Sequence, residues 1–267
     1  MIRVAVVGAA GRMGRMLISQ VLQDPELSLS AALEYEQSPF LGQDAGLLAG
    51  EAASGIALSS DVESALSQSD AAIDFSSPAA SLAFAQKAAA AAVSVVIGTT
   101  GLETAQKTEL ARLGAAGARL VFAPNMSVGV NLLFSLCAKT AAILGEEYDI
   151  EVIEMHHNQK KDAPSGTAEK LGEILAEARG LDYGKDTRHG RVGLPGARSK
   201  NEIGMHALRG GDVVGDHTVI FASRGERIEL THKASSRETF AKGALRAVKF
   251  LSRAEPGLYN MQQVLGL

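Results

Sequence analysis

The sequence has very few of the residues on which several classes of protein depend. It contains one cysteine, Cys137, no tryptophan and seven prolines in 267 residues. A single cysteine excludes a disulfide within the chain and a cysteine-based zinc site. Because Cys137 lies in an apolar run, we expect it to pack in a core. We predict no metal site.

The chain also lacks an excess of positive charge, since its net charge is −4. Nucleic acid binding needs a basic surface, so we expect no nucleic acid partner. The longest apolar run, 128–144, is interrupted by Asn131 and Lys139 and predicts a buried helix rather than a membrane span. Met1 leads directly into a strand pattern without the features of a signal peptide. We therefore expect a cytoplasmic protein with no membrane partner.

Apolar runs alternate with helical patterns through the first half of the chain. Strands are predicted at 2–7, 27–33, 71–75, 93–97 and 120–123, helices at 15–23, 79–92 and 104–116, and a loop at 36–55. Strands that alternate with helices are typical of a parallel sheet with helices on both faces. The pattern predicts an α/β fold with a Rossmann-like, doubly wound sheet.

A glycine-rich turn follows the first predicted strand at once. It reads GAAGRMG from Gly8 to Gly14, and Glu34 closes the next strand 20 residues later (34 − 14 = 20). Glycines let the backbone approach a pyrophosphate, and the acid accepts hydrogen bonds from ribose hydroxyls. The order predicts a dinucleotide site, with a purely structural turn as the alternative. The predicted contacts here are Gly8, Ala9, Ala10, Gly11, Arg12, Met13 and Glu34.

Two further strands end in polar turns. In open α/β sheets, ligands bind beyond the carboxyl ends of the strands. We therefore expect contacts to the nicotinamide half of a dinucleotide from Gly98, Thr99, Thr100, Ala123, Pro124, Asn125 and Met126. Plain turns, in which Thr and Asn act as local caps, are the alternative.

The strand pattern changes after a long predicted helix at 127–145. Polar and apolar residues alternate at 150–155, 217–222 and 227–232, which is typical of an antiparallel sheet with one exposed face. A smaller α+β domain with a mixed or antiparallel sheet is predicted here. The segment 188–216 lines the pocket or carries subunit contacts, and a helix at 237–252 precedes a tail at 258–267.

The segment Glu154–Ala168, EMHHNQKKDAPSGTA, concentrates groups that bind anions and move protons. Imidazoles relay protons near neutral pH, lysines supply compact positive charge, and a turn that opens a helix presents amides to anions. The cluster predicts a pocket for a small anionic substrate that must be protonated. Alternatives for the single features are a surface histidine pair, solvated lysines, and a helix cap at Ser165 or Thr167.

The whole chain resembles the 4-hydroxy-tetrahydrodipicolinate reductase family, also called dihydrodipicolinate reductase. The resemblance depends on the segment Glu154–Ala168, with support from 7–14, 98–101, 125–131 and 231–237. It implies reduction by NADH or NADPH of 4-hydroxy-tetrahydrodipicolinate to tetrahydrodipicolinate, with loss of water, in bacterial lysine and diaminopimelate synthesis. It also implies a homotetramer built through the sheets of the second domain.

The resemblance further implies roles for individual residues. His156 is expected to be a proton donor or acceptor and Lys160 the other proton donor. Substrate contacts are expected from His157, Lys160, Ser165, Gly166 and Thr167. The expected domains are a dinucleotide-binding domain at 1–126 and 237–267 and a substrate-binding and oligomerisation domain at 127–236.

One residue departs from the family's pattern. Many members have Arg after the strand-end acid, where it can hold an adenosine 2′-phosphate, but this chain has Tyr35. We therefore expect NADH to be used at least as well as NADPH, although Arg12 offers another cation. Two other functions remain as hypotheses. One is a dinucleotide-binding sensor without turnover, and the other is a Rossmann dehydrogenase for another amino-acid precursor.

Overall fold

A computed structural model describes all 267 residues and divides into two compact units. The first unit comprises 1–128 and 238–267, and the second comprises 129–237. These bounds lie within two residues of the predicted domain bounds. The roles assigned to the two domains stay predictions.

The elements are numbered in chain order. The strands are β1 (Ile2–Val7), β2 (Leu27–Leu33), β3 (Leu58–Ser59), β4 (Ala71–Asp74), β5 (Ser94–Ile97), β6 (Arg119–Phe122), β7 (Asp149–His156), β8 (Thr187–His189), β9 (Ile203–Arg209), β10 (Gly215–Ala222), β11 (Arg227–Ala234) and β12 (Gly257–Tyr259). The helices are α1 (Arg12–Gln23), α2 (Ala45–Ala49), α3 (Val62–Ser67), α4 (Pro78–Ala90), α5 (Thr104–Ala115), α6 (Val128–Leu144), α7 (Gly166–Arg179), α8 (Tyr183–Asp186), α9 (Glu238–Leu251) and α10 (Met261–Leu265), with a short 3₁₀ turn at Gly145–Glu147.

The first unit contains a seven-stranded parallel sheet in the order β12-β6-β5-β4-β1-β2-β3. One face packs against α1 and α9 through side chains such as Leu17 and Val248. The other face packs against α4 and α5 through Phe84 and Leu110. Helices on both faces of a parallel sheet confirm the predicted doubly wound fold, and the loops after β1, β4, β5 and β6 all lie at one edge.

The second unit contains a five-stranded mixed sheet in the order β11-β10-β7-β9-β8. The strands β7, β10 and β11 pair in antiparallel orientation, as predicted, whereas β9 pairs in parallel with both β7 and β8. One face packs against α6 and α7 through side chains such as Phe134, Leu171 and Phe221. The parallel strands β8 and β9 fall in the segment whose role the sequence left open.

Helix α6, with the 3₁₀ turn after it, is long and apolar enough by length and composition to cross a membrane. Its inner face nevertheless belongs to the core of the second unit, where Val130, Leu133, Phe134, Cys137 and Ala141 are buried. This is the packing that the interrupted apolar run predicts. Burial raises the pKa of the Cys137 thiol to about 12, so the thiol is unreactive.

The predicted loop at 36–55 is wrong in part, and the predicted tail has structure of its own. The segment 36–55 contains the short helix α2, whose first turn is capped by the Asp44 carboxylate and which ends at Gly50 with φ = 84°. The tail contains β12, which pairs with the edge of β6, and α10, which is capped by Asn260.

Helix α1 begins at Arg12, three residues earlier than predicted, because Gly11 takes the extended N-cap conformation.

Candidate active site

The glycine-rich turn lies between β1 and α1 at the carboxyl edge of the first sheet. Gly8 has φ = 75°, and its amide donates to the Leu33 carbonyl at 3.0 Å. A Cβ atom at Gly14 would lie 2.1 Å from the Gly8 carbonyl oxygen, so only glycine lets α1 pack this closely on the turn. The Glu34 carboxylate accepts from the Ala10 amide at 2.9 Å. The turn therefore presents backbone at the helix start, as a pyrophosphate requires.

A cavity of about 540 Å³ opens at this turn and contains the predicted contacts Gly8, Gly11 and Glu34. Its volume is within the range of pockets that hold small molecules and cofactors. The rest of the lining comes largely from the loop after β4 and from α4, which the sequence analysis did not single out. These residues include Phe75, Ser76, Ala83, Phe84 and Lys87. The rule that ligands bind beyond strand ends would have found Phe75 and Ser76 if applied to β4.

A buried polar cluster joins the loops after β4 and β5. The Thr99 hydroxyl accepts from Ser81 Oγ at 2.7 Å and donates to the Asp74 carbonyl at 3.5 Å. The Ser76 amide donates to the Asp74 carboxyl at 2.8 Å, and burial raises the pKa of Asp74. The Thr99 hydroxyl is thus engaged inside the protein, which leaves its backbone and the exposed Thr100 as the groups able to meet a cofactor.

The loop after β6 is held by its own polar groups. Asn125 Oδ1 accepts from the Ser127 amide at 2.9 Å, as a local cap does. Met126 and Ala123 are 1% and 4% exposed, so their side chains belong to the core. A cofactor contact from these two residues would have to use the backbone. The loop follows β6, next to the strand that precedes Gly98, so the predicted set shares one edge of the sheet.

In the second unit, β7 ends at His156, whose ring is held by a buried acid. The His156 Nδ1 atom lies 2.6 Å from Glu154 Oε2, and Glu154 is 1% exposed. Arg209, at the end of β9, donates two hydrogen bonds to the same carboxylate at 2.8 and 2.9 Å. Burial lowers the pKa of His156, aided by the charges of Lys160 and Arg209 and opposed by Glu154. His156 is therefore neutral near pH 7 in the free protein.

Lys160, the predicted proton donor, lies in the loop that follows His156 and β7. Lys160 Nζ forms an ion pair with Asp162 Oδ2 at 2.8 Å, and its side chain is 19% exposed. The partner Asp162 is 62% exposed, so an incoming anion can compete for the ammonium from the solvent side. His157 is half-buried, and its amide donates to the Val213 carbonyl. Lys161 is exposed, as expected for a solvated lysine.

Helix α7 begins at the far end of the same loop. Ser165 is its N-cap, since the hydroxyl accepts from the Ala168 amide at 3.2 Å, so the capping alternative is correct for this side chain. The hydroxyl also lies 3.1 Å from His217 Nε2, and the Ser165 amide donates to Glu154 at 3.1 Å. Gly166, in the first turn, is exposed, and a Cβ atom added to it would have no neighbouring atom within 4 Å. This open helix start is suited to a carboxylate.

Several residues of this site were not predicted. Glu154 and His156 are two apart on one strand and therefore share a face, a signal present in the sequence. Arg209 comes beside His156 only through the parallel register of β7 and β9. His217 is buried on β10 with its ring 5.2 Å from that of His156, and burial lowers its pKa to about 4. Pairing of β9 and β10 with β7 brings Arg209 and His217, which are distant in sequence, close to His156.

Both parts of the chain match one known family. Residues 2–126 match the N-terminus of dihydrodipicolinate reductase, and residues 129–265 match its C-terminus. The chain belongs to the dihydrodipicolinate reductase family. Members of this family use a nicotinamide dinucleotide, and the glycine-rich turn, Glu34 and the adjoining cavity are the features that fit one here.

Full-length relatives agree with this assignment. A 4-hydroxy-tetrahydrodipicolinate reductase from Syntrophotalea carbinolica is 50% identical over 267 residues, with all of both chains covered. One from Cupriavidus necator is 52% identical over 264 residues, with 99% of each chain covered. The predicted family and reductase activity are therefore confirmed.

Solved structures share the fold of this dihydrodipicolinate reductase family member. A dipicolinate-bound dihydrodipicolinate reductase from Paenisporosarcina sp. TG-14 has a TM-score of 0.79 at 26% identity, with 98% of each chain covered. A probable dehydrogenase from Thermotoga maritima has a TM-score of 0.61 at 12% identity, covering 98% of this chain and 92% of the other, and shows the fold alone. The predicted fold class is confirmed.

Proposed function

We propose that the chain reduces 4-hydroxy-tetrahydrodipicolinate, with loss of water, in the cytoplasm, and that the loop between β7 and α7 binds the substrate. The observation that carries the proposal is the grouping of His156, Lys160 and the α7 start within one loop. A dicarboxylate needs charge-assisted partners, each contributing roughly 1.5–3 kcal/mol. The ammonium of Lys160 and the first-turn amides at Gly166 and Thr167 provide such partners.

The bound cofactor supplies a hydride, and reduction of an unsaturated imine then calls for a proton. Lys160 carries a proton that it can give up, and His156 can exchange one through its ring. A well-placed acid of this kind accelerates a reaction by roughly 10²–10⁴. The chain holds the cofactor through the turn from Gly8 to Met13 and orients its ribose through Glu34. The backbone of the loops after β5 and β6 is assigned to the nicotinamide half.

A direct assay tests this function. Purified protein, reduced cofactor and freshly generated 4-hydroxy-tetrahydrodipicolinate are mixed, and nicotinamide absorbance is followed. A dinucleotide-binding sensor would bind the cofactor without consuming it. A dehydrogenase for another precursor would oxidise the cofactor only with that precursor. Absence of consumption with the fresh substrate would reject the proposal.

The cofactor preference gives a prediction based on Tyr35. The Glu34 carboxylate favours a free ribose 2′-hydroxyl, and Tyr35, 61% exposed at the cavity, brings no charge to a 2′-phosphate. We expect NADH to bind at least as well as NADPH. Tyr35→Arg should shift the ratio of the two dissociation constants toward NADPH by about tenfold, equal to about 1.4 kcal/mol. Titration of each cofactor by fluorescence or calorimetry measures the ratio.

The matched control is Gln37→Arg, which adds the same charge at an exposed position outside the cavity lining. It should leave the ratio unchanged. A wild-type preference for NADPH of tenfold or more, or an equal shift in both variants, would contradict the assignment to Glu34 and Tyr35.

A homotetramer is proposed through the second sheet. Helices cover one face of this sheet, whereas Ile153, Met155 and Leu208 alternate with the buried residues of β7 and β9 and point to the other face. Leu208 is 43% exposed. We expect light scattering to give a mass four times that of the chain, and Ile153→Asp to dissociate the assembly. Ile143→Asp, on the exposed side of α6, is the control that should stay tetrameric. Monomeric wild-type protein would contradict the proposal.

A further inference from the structure

The Glu154 carboxylate accepts four hydrogen bonds inside the second unit. Oε2 accepts from His156 Nδ1 at 2.6 Å and from Arg209 Nη1 at 2.8 Å. Oε1 accepts from Arg209 Nη2 at 2.9 Å and from the Ser165 amide at 3.1 Å. Burial opposes the charge on Glu154, but the hydrogen bonds, that of Arg209 first, outweigh it and lower its pKa. Glu154 is therefore an anion that can only accept hydrogen bonds.

An acceptor at this place decides which nitrogen of His156 carries the proton. A neutral imidazole has one N–H, and the 2.6 Å contact places it on Nδ1. The Nε2 atom then holds the lone pair and lies beside Gly215, where an added Cβ atom would be only 3.0 Å from it. Glycine at 215 thus keeps the space beside Nε2 open. The imidazole meets Glu154 through one nitrogen and presents the other.

We propose that Glu154, held by Arg209, is a positioning residue that fixes the tautomer and ring orientation of His156 so that Nε2 exchanges the proton with the substrate. This inference rests on the proposed function, which gives His156 its role in proton exchange. The neutral ring first takes up a proton from the solvent at Nε2. When the imidazolium so formed acts as an acid, the Nε2–H bond breaks, its proton passes to the substrate, and the ring returns to the neutral Nδ1–H form. The buried carboxylate stabilises the imidazolium between these states.

The isosteric change Glu154→Gln tests whether Glu154 fixes the tautomer of His156. The glutamine amide has one NH₂ group, which cannot accept the hydrogen bonds that a carboxylate oxygen accepts. An NH₂ group at the Oε1 position would face two obligatory donors, the Ser165 amide and Arg209 Nη2. At the Oε2 position it would face Arg209 Nη1 and His156, and only His156 can change from donor to acceptor. The NH₂ group should therefore occupy the Oε2 position. His156 must then move its proton to Nε2.

Nitrogen NMR of ¹⁵N-histidine-labelled full-length protein reads this tautomer without any reaction. We expect the wild type to show Nδ1–H at His156 above the pKa of the ring, and Glu154→Gln to show Nε2–H. The turnover number should fall by about 10²–10⁴, since Nε2 of the neutral ring already carries a proton and cannot take up the one that forms the Nδ1-anchored imidazolium. The substrate KM should change far less. Because Glu154 raises the pKa of His156, the limb of the pH profile that reports this residue should move to lower pH.

Two further variants complete the test. Glu173→Gln, in an exposed ion pair with Lys170 on α7, should change neither tautomer nor turnover. Gly215→Ala should lower turnover by crowding Nε2 while leaving the Nδ1–H tautomer in place. This variant also serves if Glu154→Gln does not fold. The inference fails if Glu154→Gln keeps the Nδ1–H tautomer, if it turns over within threefold of wild type, or if Gly215→Ala is fully active. A tautomer change in a protein without reductase activity would reject the proposed function and leave the positioning role standing.

Discussion

Replacing Lys160 with alanine is expected to lower the turnover number by about two to four orders of magnitude. The ammonium lies in the loop between β7 and α7 and forms its ion pair with the largely exposed Asp162. Its loss removes both a proton donor and a partner for a substrate carboxylate. Affinity for the reduced cofactor should stay nearly unchanged, since the proposed cofactor residues are elsewhere in the sequence. Steady-state kinetics and a cofactor titration measure the two quantities separately.

The neighbouring lysine is a matched control for this experiment. Lys161→Ala removes the same charge from an exposed position one residue away. It should leave turnover within about twofold, because an exposed charge contributes little. Near-normal turnover in Lys160→Ala would exclude Lys160 from the mechanism. An equal loss in both variants would show that overall loop charge, rather than one positioned ammonium, is required.

Replacing Gly14 with alanine is expected to abolish tight cofactor binding. The new methyl group would lie 2.1 Å from the Gly8 carbonyl oxygen and 2.6 Å from that of Ala9, and both are backbone atoms. The turn or α1 must therefore move by about an ångström, which displaces the amides that face a pyrophosphate. We expect the cofactor dissociation constant to rise at least about tenfold. The free energy of unfolding should fall by about 1–3 kcal/mol, as for other overpacked sites.

A glycine with space for a methyl group provides the comparison. In Gly184→Ala the new atom would make an ordinary contact of 3.4 Å with Asp182 Oδ1. Cofactor affinity should not change in this variant, and calorimetry with denaturant unfolding reports both properties. Unchanged affinity in Gly14→Ala would show that the turn tolerates side chains, and it would remove the main support for the dinucleotide assignment.

Elements with a strong local pattern could be predicted from the sequence, and elements defined by pairing could not. Strand β1 is apolar except for the exposed Arg3, because the strand is buried on both faces from Val4 to Val6, and its predicted bounds agree with the observed ones. Strand β9 was missed since Gly204 interrupts its alternation. A Cβ atom there would lie 1.7 Å from the Glu151 carboxylate, so a larger residue would displace that side chain from its ion pairs. Strand β12 has only three residues, and its extended conformation depends on pairing with β6.

The same distinction applies to the candidate site. The residues of one loop, such as His156 and Lys160, could be found because their chemistry is concentrated in a short segment. Arg209 and His217 lie more than fifty residues from Glu154, and only the pairing of β9 and β10 with β7 brings them near. Thr99 was predicted to contact the cofactor, but its hydroxyl bonds with Ser81, which a sequence pattern does not place.

The course of the chain through the first unit has a consequence for protein synthesis. Helix α9 buries Ala244, Val248 and Leu251 in the core of the first sheet, although it follows the whole second unit in sequence. The second unit is continuous, so it can fold while translation is still in progress. Residues 1–128 of the first unit, made first, must wait with part of their apolar surface uncovered until residues beyond 251 have left the ribosome. This amino-terminal segment is therefore the part of the nascent chain that most needs protection by chaperones.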